Sequence, residues 1–76
     1  MEEFLKYVIT QLVEFPDEVV VSRTDADNRI AFRVEMRKSD LGKIIGKGGH
    51  TIHVIRNLLQ ASAEKQGLKV TLNIVE

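Results

Sequence analysis

The stretch LGKIIGKGGHTI, residues 41–52, decides how this 76-residue chain is interpreted. It contains four glycines and three lysine or histidine side chains, between apolar residues typical of a core. Glycine destabilises the interior of a helix or strand, so this concentration needs a reason. Two nucleotide-binding motifs fail here. A Walker A loop starting at Gly42 would need glycine where Lys47 stands, and a dinucleotide fingerprint starting at Gly46 would need glycine where Thr51 stands.

What remains is a G-x-x-G loop at residues 46–49 between two helical segments. Residues 41–45 predict a short helix that Ser39 or Asp40 can cap, and residues 49–65 predict a longer one. The start of a helix presents unpaired N–H groups and the positive end of a dipole, where anions bind. With Lys47 at its tip and glycines that have no side chains, such a loop would let a phosphodiester backbone lie close to the main chain. Gly48 has no evident structural role in the sequence. The alternative to a phosphate-binding loop is a tight turn between two helices that binds no ligand.

The flanking segments predict the rest of the fold. Residues 2–14 predict a helix, with an apolar stripe at Leu5, Val8, Ile9 and Leu12. Residues 18–24 and 29–36 predict strands joined by a tight turn at 25–28, and residues 69–75 predict a third strand. In the long helix the expected buried stripe is Ile52, Ile55, Leu58, Leu59 and Ser62. The order α-β-β-α-α-β predicts a two-layer α+β domain in which the helices cover one face of a three-stranded sheet. The sheet would be mixed if the helix pair forms a crossover between parallel strands.

Charge is distributed unevenly along a chain whose formal net charge is zero. Residues 1–36 carry eight acidic and four basic side chains, whereas residues 37–56 carry five basic side chains against Asp40 alone. A local positive field of this kind suits a polyanion, although a solvated basic face is an equally good explanation of the count alone. There is no cysteine, no apolar run of membrane-spanning length and no signal-peptide pattern. We therefore expect a cytoplasmic protein without a membrane contact.

Nothing in the sequence predicts catalysis. We find no acid pair, no nucleophile–base set and no small-molecule or cofactor motif. His50 and His53 stand three residues apart, but a zinc site usually needs three or four ligands and no third one lies nearby. We therefore expect no metal, no cofactor, no small-molecule substrate and no enzyme activity.

The segment GKIIGKGGHTIHVIR, residues 42–56, resembles the signature of KH domains, whose G-x-x-G loop holds a short stretch of single-stranded RNA backbone. The element order is similar to the type II form, and the length and layout resemble the small bacterial RNA-binding proteins of the KhpA type. The resemblance implies that residues 1–76 form a single KH domain, with a minimal KH core at about 29–76.

The resemblance also implies a function. It indicates a non-catalytic single-stranded RNA-binding protein, an RNA chaperone or post-transcriptional regulator. Such a protein pairs as a homodimer, or as a heterodimer with a larger KH-containing protein of the KhpB type, and is linked to cell-wall synthesis and cell shape. The alternative is a protein-interaction or dimerisation scaffold that keeps the KH fold and binds little RNA.

Carried onto this chain, the KH pattern assigns the binding residues. The backbone clamp would be Gly46, Lys47, Gly48 and Gly49. One wall of the groove would be Lys43, Ile44, Ile45, Thr51 and Ile52, and the other would be the strand around residues 31–37, with Arg37; Arg56 adds positive charge. His50 stands where the family commonly has arginine. Because histidine gains its charge near pH 6.5, we expect RNA binding to strengthen modestly at lower pH.

Overall fold

The computed structural model describes residues 1–75 and confirms the predicted α+β architecture and element order. The helices are α1 (Glu2–Leu12), α2 (Leu41–Ile45) and α3 (His50–Glu64). The strands are β1 (Val20–Ala26), β2 (Arg29–Glu35) and β3 (Lys69–Ile74). Short 3-10 turns at Pro16–Glu18, Lys38–Asp40 and Lys47–Gly49 precede β1, α2 and α3.

The three strands form one mixed sheet in the order β1-β2-β3. The central strand β2 is antiparallel to β1 and parallel to β3. Parallel neighbours need a long crossover connection, which α2 and α3 provide. The β1–β2 hairpin turns at Asp27 and Asn28, and Asp27 has a positive φ of 50°, which aspartate tolerates better than most residues. Asp25 and Ala26, expected in this turn, belong to β1.

All three helices cover the same face of the sheet. Alternate residues of β2 point toward them and are buried, while the residues between are exposed on the opposite, polar face. The core contains Leu5, Ile9, Val19, Ile30, Phe32, Val34, Ile44, Ile52, Ile55, Leu59 and Leu72. Two of these side chains come from α1 and are fully buried, so the packed domain includes residues that precede the minimal KH core.

The apolar stripes of the helices are narrower than predicted. In α3 the buried positions are Ile52, Ile55, Leu59 and Ala63, spaced by three and four residues as one helix face requires. Leu58 is 52% exposed and Ser62 is exposed, so their assignment to that stripe was wrong. In α1 the same applies to Leu12, which is 41% exposed at the last residue of the helix.

Asp40 stands at the predicted N-cap position of α2, but its side chain makes no capping hydrogen bond. Instead, its two carboxylate oxygens accept hydrogen bonds from the backbone N–H groups of Glu14 and Phe15, each at 3.1 Å. The side chain is fully buried. Asp40 therefore ties the segment after α1 to the start of α2, a long-range role that sequence spacing did not reveal.

Among residues 1–75, no helix has both the length and the apolar character needed to cross a membrane.

Candidate functional site

The glycine loop connects α2 to α3 at one end of the helical layer. Its first residue, Gly46, ends α2 and donates its N–H to the carbonyl of Gly42 at 2.9 Å. Residues 47–49 form a single 3-10 turn, and α3 follows directly at His50, without a side-chain cap. Two N–H groups at this junction are already used, because Gly49 and His50 donate to the carbonyls of Gly46 and Lys47. The positive end of the α3 dipole still makes this uncapped start electropositive.

The glycines of the loop serve two different purposes. A β-carbon on Gly46 would lie 2.7 Å from Cβ of Thr51 and 3.0 Å from its backbone nitrogen, so Gly46 is required by packing within the protein. A β-carbon on Gly48 or Gly49 would meet nothing within 4 Å. Gly48 does have a structural role, since its φ of 62° lies in the left-handed region that favours glycine. The space beside Gly48 and Gly49 is open to a ligand.

The predicted residues around the loop divide into exposed and core positions. Lys47, Gly48 and His50 are exposed. Ile45, Gly49 and Thr51 are half-buried, and each keeps some accessible surface. Ile44 is fully buried and Ile52 is only 6% exposed, because both belong to the hydrophobic core. Ile44 therefore has no surface with which to contact a ligand, and these two side chains instead support the loop from beneath.

Two of the predicted binding cations are engaged by acidic residues from the first part of the chain. Arg37 pairs with Glu18 at 2.6 Å, and its guanidinium lies 3.7 Å from the centre of the Phe15 ring. It precedes α2, whereas the glycine loop follows that helix. Lys43 contacts a carboxylate oxygen of Glu14 at 3.3 Å. The positive field expected from residues 37–56 is therefore reduced by acids that are distant in sequence.

The remaining cations differ from one another. Arg56 directs two N–H groups, Nε and Nη2, at the carbonyl oxygen of Leu72, at 3.3 and 3.1 Å. No acid within residues 1–75 pairs with its charge, and its donors are committed to the protein backbone. Lys38 and Lys47 are exposed and have no ion pair within residues 1–75. Of these two lysines, Lys47 is the one inside the loop.

The structure puts a different strand beside α3 from the one expected. The exposed side chains of β2, including Ala31 and Arg33, lie on the face of the sheet opposite the helices. Both edges of β2 are occupied by neighbouring strands. The prediction that residues 31–37 form the second wall of the groove was therefore wrong. The strand with a free edge next to α3 is β3, to which α3 is joined through Arg56 and through Gln60, whose side-chain oxygen accepts the Val70 N–H at 3.1 Å.

Gln60 was missed in the sequence because one glutamine on a helix carries no signal of its own. Its position four residues after Arg56, on the same side of α3, is the only hint the sequence offers. Asp40 was assigned to a local cap because its partners lie 25 and 26 residues away.

Burial by itself raises the pKa of Asp40. The N–H groups of Glu14 and Phe15 act in the opposite direction, as does the ammonium of Lys43, 3.6 Å from Oδ1. The attractive contacts prevail, so the pKa of Asp40 lies below its usual value and the buried side chain is charged at neutral pH. The carboxylate charge of Asp40 therefore attracts the ammonium group of Lys43 toward the residue that precedes α2. Within residues 1–75, no group of three histidine, aspartate or glutamate side chains is placed to hold a metal ion.

Comparison with known proteins gives the family. The family model described as KhpA/KhpB, KH domain matches residues 2–74. The chain belongs to the KhpA/KhpB family of KH domains. Among curated relatives, the RNA-binding protein KhpA of Chlamydia trachomatis is 43% identical over 76 residues, which cover all of this chain and 97% of that protein. The protein of the same name from Bacillus subtilis is 37% identical over 76 residues and 94% of its length.

A third relative, the RNA-binding protein KhpA of Listeria monocytogenes, is 33% identical over the full length of both chains. These matches confirm the resemblance to the KhpA type that the glycine loop and element order indicated. They also cover α1 and β1, so membership in the KhpA/KhpB family applies to the whole domain and not only to the loop.

Proposed function

We propose that the protein binds single-stranded RNA without catalysing a reaction, with the loop at residues 46–49 holding the phosphate backbone. The observation that carries the proposal is the open space beside Gly48 and Gly49, next to the exposed Lys47 and the uncapped start of α3. A phosphate can approach backbone N–H groups there without meeting a side chain. The relatives' name, RNA-binding protein KhpA, supports RNA as the partner.

The groove would run from this loop between α3 and β3. Thr51 and Ile45 supply its half-buried floor beside the loop, and His50 stands exposed at its entrance. Lys43 and Arg56 flank it, although both are held by protein groups in this structure. Arg37, committed to Glu18, remains the weakest of the proposed contacts.

Single-copy binding should be weak and tolerant of sequence. A KH loop clamps about four nucleotides. Aromatic side chains that could stack on bases are absent from the loop: Phe4 and Tyr7 lie on α1, Phe15 packs under Arg37 and Phe32 is in the core. Two linked copies gain affinity through effective concentration. We therefore propose that the protein works as a pair, either a homodimer or a heterodimer with a KhpB-type protein.

An apolar groove between α1 and α3 supports pairing. It has a volume of about 260 Å³ and is lined by Met1, Phe4, Leu58, Leu59 and Ser62. Phe4 and Leu58 are 48% and 52% exposed. Exposed apolar side chains that lie together often mark a protein contact. The same groove favours the second candidate function, a dimerisation scaffold with little RNA binding.

The proposed cellular role follows from the family. We propose a cytoplasmic RNA chaperone or post-transcriptional regulator, linked to cell-wall synthesis and cell shape through its partner, with residues 1–76 acting as one KH unit. No cofactor, metal, membrane or small-molecule substrate is part of this proposal.

Cross-linking to RNA tests the partner and the site together. The purified protein would be irradiated with a single-stranded oligoribonucleotide carrying a photoreactive uridine, digested with trypsin and analysed by mass spectrometry. We expect the nucleotide on peptides 44–47 and 48–56, which contain the loop and the start of α3. Cross-links confined to residues 1–37, or none at all, would favour the scaffold.

A further inference from the structure

The outward edge of β3 has backbone groups that no strand satisfies. The N–H groups of Lys69 and Val75 donate to carbonyls of Asn28 and Val34, each at 2.9 Å, so these residues turn toward the β2 side. Backbone groups alternate in direction along a strand, and each residue's N–H and C=O point the same way. The groups of residues 70, 72 and 74 therefore turn toward the free edge, beside α3.

Two side chains of α3 hold part of this edge. The guanidinium of Arg56 donates two hydrogen bonds to the Leu72 carbonyl, at 3.3 and 3.1 Å. The side-chain oxygen of Gln60 accepts the Val70 N–H at 3.1 Å. All three bonds are partly buried. Arg56 and Gln60 are one helical turn apart, and the strand residues they hold are two apart, so the spacing of helix and strand matches.

The order of these contacts shows how helix and strand run. Arg56 precedes Gln60 on α3, whereas its partner Leu72 follows Val70 on β3, so the two elements run in opposite directions. The end of β3, at Ile74, is thus directed toward the first turns of α3, where the glycine loop lies. The caps hold the Val70 N–H and the Leu72 carbonyl, and the Val70 carbonyl and Leu72 N–H lie between these two capped groups. Within residues 1–75, no side chain holds either edge group of Ile74.

We propose that Arg56 and Gln60 are positioning residues that cap the free edge of β3 and confine backbone hydrogen bonding by a ligand to the end of that strand, beside the glycine loop. This inference rests on the proposed RNA-binding function for its ligand, but the cap itself does not. Arg56, expected to add positive charge at the RNA site, instead contacts a neutral carbonyl. Unprotected strand edges also pair with other strands, so the cap keeps the edge from self-association.

Paired variants separate the cap from general stability. Gln60→Leu removes the acceptor for Val70 N–H, whereas Gln60→Glu keeps one. Amide hydrogen exchange would be followed at Val70 and, as an internal control, at Thr71, whose N–H faces β2. We expect Gln60→Leu to speed exchange at Val70 relative to Thr71 by about threefold to tenfold, the equivalent of one lost hydrogen bond. Gln60→Glu should leave that ratio unchanged.

An unchanged ratio of the two exchange rates in Gln60→Leu would overturn the cap. This includes equal acceleration at both amides, which indicates only a general loss of stability. This arm needs no RNA. It therefore gives a result even if the proposed function is wrong.

Salt dependence separates positioning from phosphate binding. Affinity for a short single-stranded oligoribonucleotide of mixed sequence would be measured over a range of salt concentrations. Arg56→Lys keeps the charge but loses the fork of two donors, and Arg56→Met loses both. We expect both to weaken binding by similar factors of about threefold to tenfold, with an unchanged slope of log affinity against log salt.

The proposal would be overturned if Arg56→Lys bound RNA with wild-type affinity while Arg56→Met reduced the magnitude of the salt slope by about 0.7. That combination is expected when the charge at position 56 contacts one phosphate of single-stranded RNA. Lys47→Met is the comparison for this signature and should reduce the slope. If the unaltered protein binds no RNA, the proposed function fails and with it the confinement of the ligand, while the exchange ratio still decides the cap.

Discussion

Gly46 and Thr51 are packed so closely that no side chain fits between them. A β-carbon on Gly46 would approach Cβ of Thr51 to 2.7 Å and its backbone nitrogen to 3.0 Å. The φ of Gly46, 73°, is also one that other residues rarely adopt. The first glycine of the loop therefore sets the junction between α2 and α3, independently of any ligand.

The first prediction compares Gly46 with Gly42, four residues earlier. Gly46→Ala should destabilise the domain by more than about 2 kcal/mol, through the contact with Thr51 and the positive φ. Gly42 is in α2, without a positive φ, and a β-carbon there would meet nothing within 4 Å. Gly42→Ala should therefore stabilise by about 0.5–1 kcal/mol. Urea unfolding measures both, and equal effects of the two substitutions would contradict the packing argument.

The second prediction concerns the buried carboxylate of Asp40. Its pKa is lower in the folded protein than in the unfolded chain, so its contribution is complete above the unfolded value near pH 4 and is lost as pH falls through the folded value. Asp40→Asn should lower Tm at pH 7 by about 5 °C or more, since the second backbone bond and the contact with Lys43 are lost. The gap between wild type and variant should narrow below about pH 4.

Thermal unfolding monitored by circular dichroism from pH 7 to pH 2.5 measures this gap. Asp17→Asn, at an exposed aspartate, is the matched control and should leave Tm at pH 7 almost unchanged. A gap between wild type and Asp40→Asn that stays constant across the whole pH range would exclude the proposed role of the charge.

The third prediction addresses pairing through the groove between α1 and α3. Leu58→Asp puts a charge on its exposed rim and should shift a dimer to monomer while the circular dichroism spectrum stays native. Val20→Asp is the control, because Val20 is 50% exposed on the other face of the sheet. Analytical ultracentrifugation reports the mass. Dimers of unchanged strength in Leu58→Asp would exclude this groove as the contact.

The fourth prediction concerns His50, exposed at the start of α3. His50 is next to the proposed phosphate site, where an imidazole N–H can donate a hydrogen bond, so His50→Ala should weaken RNA affinity by about twofold to tenfold. His53→Ala, at an exposed histidine one turn later, should leave the affinity nearly unchanged. Fluorescence anisotropy measures the affinity. Wild-type affinity in His50→Ala would reject the role of His50.

The sequence predicted what depends on local pattern. Alternation along residues 29–36 identified β2, and the glycines at 46–49 marked the junction of two helices, because both signals are encoded by neighbouring residues. The same pattern did not predict the width of the buried face of α3. Leu58 lies at the margin of the apolar stripe of α3. At such a margin, adjacent positions differ between core and solvent, because each residue is rotated by about 100° around the helix axis from the one before it.

Contacts between distant residues were beyond the sequence. Glu14 and Glu18 pair with Lys43 and Arg37 only because the fold brings the segment after α1 close to α2 and the residues before it. The choice of β3 rather than β2 as the strand beside α3 likewise follows from strand order. A charge count along the chain could not anticipate either result.

The central claim is that the bare main chain beside Gly48 holds RNA, and a charge-reversed loop tests it most directly. Lys47→Asp combined with Gly48→Asp puts negative charge where phosphate would lie. Both positions are exposed, and a β-carbon on Gly48 would meet nothing within 4 Å. Lys65→Asp with Gly67→Asp is the matched control. It makes the same change in charge, at another exposed glycine with positive φ and open space, beyond the far end of α3.

Both double variants should keep the native circular dichroism spectrum. Measured by fluorescence anisotropy with single-stranded RNA, the loop variant should lose at least about tenfold in affinity, because it replaces an attractive charge with two repulsive ones. The control should bind nearly as wild type does. A folded loop variant with wild-type affinity, or equal losses in both variants, would contradict the account.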